Sequence, residues 1–99
     1  MEHHVKDAYL SLIREEAQLD TVTQFSQAIK YMETPSEEIQ LVAVTRRGYL
    51  INFIDDPSDE VQLAAVTEDG YAIQYIKDPS EEVKKRVIQY HRETLTLKQ

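Results

Sequence analysis

Four carboxylate pairs recur along the chain, Glu15-Glu16, Glu37-Glu38, Asp59-Glu60 and Glu81-Glu82. Adjacent acids are raw material for general acid–base catalysis, but a general acid needs a raised pKa, and that takes burial or a held like charge. Every pair here sits in the first turn of an expected helix, where solvation is the rule. Two readings of the ladder stay open. In one, the acids only complement the helix dipole, by about 0.3–1 kcal/mol each. In the other, helices stacked at roughly 8–10 Å per layer line up Glu38, Glu60 and Glu82 as an acidic ridge for a basic protein partner.

A second ladder is aromatic. Tyr9, Tyr31, Phe53 and Tyr75 share one spacing, and Tyr49 and Tyr71 precede the last two by one helical turn. The in-phase Ile54 and Ile76 favour a core seam for the first row. Tyr49 and Tyr71 are the members expected at the surface, as a binding stripe in which tyrosine gives contact area at low entropy cost. Arg46-Arg47 is the third candidate, because the matching place one period later holds Glu68-Asp69. Folding offers no reason for that change, so a binding role for the pair stands as a candidate to test beside the reading of a solvated surface. His3, His4 and His91 complete the set of groups able to do chemistry. Two adjacent histidines suit a flexible terminus better than one helix face, so no metal site is expected.

No catalytic residues are expected. The chain has no Ser/His/Asp set in recognisable context and no HExxH. It has only two glycines, Gly48 and Gly70, where a phosphate loop needs a run of them. No cofactor is implied. Direct nucleic-acid binding is disfavoured, since the formal net charge is −7 and residues 1–78 carry 6 basic against 15 acidic residues. No apolar run approaches the roughly 20 residues that span a bilayer, and MEHHVKDAY lacks a signal-peptide core. The absence of cysteine excludes disulfides and thiolate chemistry, and it fits a cytoplasmic protein.

These ladders all follow one period. Pro35, Pro57 and Pro79 stand 22 residues apart, and PSEEIQLVAVTRRGYLINFIDD and PSDEVQLAAVTEDGYAIQYIKD agree at 13 of 22 positions without a gap. Such a period marks a solenoid, in which a small unit is stable only when stacked. Each unit reads as helix–turn–helix. Asp56-Pro57-Ser58-Asp59 resembles a helix start, with Asp at N-cap, Pro at N1 and an acid at N3. Small Ala64 and Ala65 permit close helix approach. Gly48 and Gly70 are expected as left-handed C-caps, each followed by a short second helix such as YAIQYIK. The fold expectation is therefore all-α: a short right-handed α-solenoid of about four 22-residue repeats with capping ends.

The expected layout is a single domain over 1–99. A cap helix (1–12, with Val5, Ala8, Tyr9 and Leu12 on one face) precedes repeats at 13–34, 35–56 and 57–78. The divergent unit 79–99 closes the array: Lys85 and Arg86 replace the apolar pairs Leu41-Val42 and Leu63-Ala64, while Val83, Val87 and Ile88 stay apolar. The tail Thr94-Leu95-Thr96-Leu97 is expected to fold back over the cap, or else to serve as a partner strip.

The pattern DPSEEVQLAAVxxxGYAIQYI, with its Gly-Tyr hinge, resembles the short bacterial and phage repeats of the HEAT-like α-solenoid class, the leucine-rich variant repeat among them. The resemblance covers roughly residues 13–90. It implies a right-handed superhelix that binds partners along a surface. Some leucine-rich variant proteins hold an iron–sulfur cluster on cysteines, which this chain lacks. The function expected is a non-enzymatic protein–protein interaction module, a monomer or weak homodimer. The alternative is a small acidic phage-type inhibitor that mimics nucleic acid on a host enzyme.

Overall fold

Serine, not aspartate, starts the helices. In the computed structural model, which describes residues 14–98 with side chains through 95, Ser36 Oγ accepts from the Ile39 amide and Ser58 Oγ from the Val61 amide, both at 3.3 Å. Ser80 makes the same bond to Val83. Each serine satisfies one orphan amide of the first turn, a cap worth about 0.5–2 kcal/mol, and Ser36 and Ser58 have extended backbone. The expected Asp N-cap and Pro N1 are thus displaced by two residues, and the acid pairs stand at N1 and N2. Behind the cap, Gln40 and Gln62 bond back to the carbonyls of Pro35 and Pro57.

The elements follow the period. Helix α1 covers residues 14–24, α2 Glu37–Arg46, α3 Asp59–Glu68 and α4 Glu81–Lys98. Between them lie three two-turn 3₁₀ helices, η1 (Ser26–Tyr31), η2 (Gly48–Phe53) and η3 (Gly70–Tyr75). All regular structure among the described residues is helical, with no strand. The second helix of each unit is therefore present, but tightened to 3₁₀. Its bonds run from Leu50 N to Arg47 O and from Ala72 N to Asp69 O, with Ile54 and Ile76 closing on Ile51 and Ile73.

The core repeats with the chain. Val22, Val44 and Val66 are fully buried, as are Ala43 and Ala65, while Ile39, Val61 and Val83 form a second buried row. Ile29 and Ile51 complete it from the 3₁₀ side, and Ile54 and Ile76 cap it. Full burial of such a side chain contributes about 1.5–3 kcal/mol. Alanine at 43 and 65 is what lets α2, α3 and the 3₁₀ layer approach. Leu41, Val42, Leu63 and Ala64 pack partly buried against this core. Contacts among α2–α4 and η1–η3 join neighbours only: α2 meets α3 and α3 meets α4, and η1 meets η2 and η2 meets η3.

Three expectations are corrected here. Neither glycine has positive φ; the only described residue that does is Asp56, at 51°. Gly48 and Gly70 are buried at the start of their 3₁₀ helices, and close approach is what requires them. A Cβ on Gly48 would run into the carbonyl of Ala65 in the next helix, and one on Gly70 into the Tyr90 ring. The helices instead end at Arg47 and Asp69, which are extended. Secondly, the tail does not fold back. Arg92 stands where the period would place a glycine, so α4 runs on as one helix to Lys98. Thirdly, the first aromatic row is not core: Tyr31 is 81% exposed, and Phe53 and Tyr75 are exposed as well. The 1–12 cap helix, His3, His4 and Tyr9 lie outside the described residues.

Candidate functional site

The 3₁₀ helix has 3.0 residues per turn, so its second and fifth residues eclipse on one edge. In η2 these are Tyr49 and Asn52, in η3 Tyr71 and Gln74, and in η1 Gln27 and Lys30, all exposed. The sixth residue of each, Tyr31, Phe53 or Tyr75, also points outward. It stays there because the third and fourth positions and the following Met32, Ile54 or Ile76 already fill the core side. Side by side, the three short helices present one face of aromatic rings and neutral amides.

That face is braced. Gln27 Nε2 donates to the Tyr49 hydroxyl at 3.1 Å, joining η1 to η2. The Lys30 ammonium lies 5.5 Å from the Tyr31 ring centre and 6.0 Å from that of Phe53, within reach of a cation–π attraction. At the other end the Tyr71 ring meets His91 edge-on at 5.0 Å and Tyr90 at 6.5 Å, tying η3 to α4. Among these nine outward residues Lys30 is the one charge and no acid occurs, in a chain with 18 acids. Protein-binding surfaces are enriched in aromatic residues and depleted in Asp and Glu, which is the composition seen.

The other predicted residues lie elsewhere. Glu38, Glu60 and Glu82 are exposed in the first turns of α2, α3 and α4. No hydrogen bond or ion pair joins any of the three to another described residue. Their neighbour Glu37 has a structural task, accepting from the Ser58 hydroxyl of the next unit. Arg46 and Arg47 are exposed at the end of α2 and wall an open depression of about 480 Å³, together with Gln24, Phe25, Ser26 and Gln27. One unit later the equivalent positions are used internally: the Gly48 amide donates to Glu68 Oε1, and the Tyr71 amide donates to Asp69 Oδ1 at 3.0 Å.

The structure therefore unites Tyr49 and Tyr71 on one surface, places Arg46-Arg47 at its border through Gln27, and leaves the acid row apart in the α helices. Sequence reasoning missed Phe25, Gln27, Lys30, Tyr31, Phe53 and Tyr75 as surface groups. A period of three after each helix end finds Gln27 and Lys30; it does not find Phe53 and Tyr75, which eclipse the buried Leu50 and Ala72 and are exposed all the same.

The nine outward residues include no histidine and no carboxylate. Among the described residues no cluster of His, Cys, Asp or Glu is placed to hold a metal ion, and no helix is long and apolar enough to cross a membrane. Compared with known proteins, the chain matches no family model, no curated protein and no solved structure.

Proposed function

We propose that the chain is a non-enzymatic protein–protein interaction module, built as a short right-handed α-solenoid of HEAT-like type, that holds a protein partner on the outer face of its 3₁₀ helices. The solenoid reading is supported by neighbour-only contacts and by elements and core rows recurring every 22 residues. The observation that carries the binding reading is the acid-free aromatic face, exposed in a chain of net charge −7. Tyrosine and phenylalanine on short, braced helices lose little freedom on binding and exclude water well.

Photo-crosslinking tests this. A benzophenone amino acid replaces Tyr31 or Phe53 in one set of proteins and Glu38 or Glu60 in another. The same partner protein is expected to be captured from the first set and not from the second. Capture from the Glu38 and Glu60 positions alone would transfer the function to the acid row. It would also favour the second reading, an acidic inhibitor, which rests on the exposed and unpaired Glu38, Glu60 and Glu82.

A further inference from the structure

We infer that the depression walled by Arg46 and Arg47 receives a carboxylate from an acidic segment of the partner protein. This deepens the binding reading above and rests on it. The comparison within the molecule carries it. At the end of α3, Glu68 and Asp69 accept from backbone amides of the 3₁₀ layer, Gly48 and Tyr71. At the end of α2 the same two positions are arginines, η1 begins without a side-chain cap, and an open space of about 480 Å³ remains. Two carboxylates that bond backbone amides at the end of α3 thus correspond to two cations beside an open depression at the end of α2.

Neither arginine is neutralised. With 18 acids against 11 basic residues in the chain, an acidic neighbour would be easy to supply, yet no ion pair is made by Arg46 or Arg47 among the described residues. Arg47 Nη1 donates only to the Arg46 carbonyl, at 3.0 Å. Guanidinium groups match carboxylates in a two-bond fork, and in a partly sheltered site such charge-assisted bonds are strong and directional.

The rest of the lining suits one acidic side chain followed by an apolar one. Gln24 and Gln27 each have one amide N–H left, their Nε2 atoms already donating to Asp20 Oδ2 at 3.3 Å and to the Tyr49 hydroxyl at 3.1 Å, and the Phe25 ring is 69% exposed. Gln27 also holds Tyr49, so the depression opens onto the aromatic face. A nucleic-acid backbone is the poorer fit, because two cations are not a stripe and the chain around them is acidic.

The test is NMR titration of the full chain with a blocked peptide containing Phe-Glu-Glu, its Phe-Gln-Gln counterpart, and inorganic phosphate. The Glu peptide is expected to shift the Arg46 and Arg47 Nε–Hε signals and the Gln24 and Gln27 side-chain amides saturably, and to bind at least ~10-fold tighter than the Gln peptide. Arg46→Gln/Arg47→Gln should abolish those shifts. Arg46→Glu/Arg47→Asp should abolish them too while raising the melting temperature, since it restores the pattern of α3. Equal binding of the two peptides, shifts confined to Lys84–Arg86, or equally strong phosphate binding would each overturn the assignment. If the peptide ignores the arginines while crosslinks from Tyr31 and Phe53 persist, only this inference falls. Loss of those crosslinks removes the aromatic face itself.

Discussion

The units 35–56 and 57–78 share a backbone and differ in surface chemistry. Their serine caps have φ/ψ of −65°/162° and −66°/164°, and their helix ends −144°/100° and −148°/107°. The identical residues include the cap serine, the glycine and the buried Ala-Val pair. The differences are of two kinds: within the core one apolar side chain replaces another, Ile39 against Val61 and Leu50 against Ala72, whereas at the surface the chemistry changes, as in Arg46-Arg47 against Glu68-Asp69. Burial holds the first kind apolar, and exposure leaves the second free to change charge. A departure such as the arginine pair is therefore informative, because packing neither demands nor forbids it.

The largest test of that division is to place a charge where both units are closed. Ala43→Glu and Ala65→Glu should each unfold the domain, since a lone carboxylate between packed helices costs more than the roughly 5–15 kcal/mol that holds a small domain together can tolerate. Circular dichroism of the two variants reads this out. Folded variants of normal stability would place the alanines at the surface and break the equivalence of the units.

A smaller effect separates the units. Gly48→Ala drives a methyl against a backbone carbonyl and Gly70→Ala against a ring that can shift with α4. Urea denaturation should show a loss of about 2–3 kcal/mol for Gly48→Ala and about 1–2 kcal/mol for Gly70→Ala. The Gly70 variant should also disturb the contact of Tyr71 with His91. The reverse order would mean that α4 is the more rigid neighbour.

The smallest difference lies at the caps. Ser36→Ala and Ser58→Ala each remove an N-cap and should cost about 1 kcal/mol. Ser58 also donates to Glu37, so its loss should exceed that of Ser36 by a few tenths, within the usual worth of an exposed hydrogen bond. Thermal melts of the two single variants, with Glu37→Gln alongside Ser58→Ala, measure that increment.

Much of the fold is legible in the residues. Proline, serine, the acid pair and glycine recur every 22 positions, and the helices and core rows follow them. What the residues conceal is where one unit touches the next. Gly48 and Gly70 look like left-handed stops because glycine usually is one after a helix. Their actual cause, the Ala65 carbonyl and the Tyr90 ring, belongs to other units. Asp-Pro-Ser contains two good cap residues, and sequence alone does not rank them. The aromatic row is misplaced by its adjacency to Ile54 and Ile76: those isoleucines, one residue past each 3₁₀ helix, are buried, while Phe53 and Tyr75 beside them stay exposed. Of the candidate site, Tyr49, Tyr71 and the arginine pair were visible in advance. The continuous face was not, because it exists only once η1, η2 and η3 lie side by side.

Neighbour-only contact has a consequence for how such a molecule comes to exist. Each interface closes over about one unit of chain, so the entropy of closing it is the same wherever it occurs and grows only slowly with length. An added or deleted unit would leave every other interface untouched. A chain so built could lengthen by copying, each copy keeping its buried positions apolar while its exposed ones change. The positions of the arginine pair already vary in this way, being Gln24-Phe25, Arg46-Arg47, Glu68-Asp69 and Tyr90-His91 along the chain.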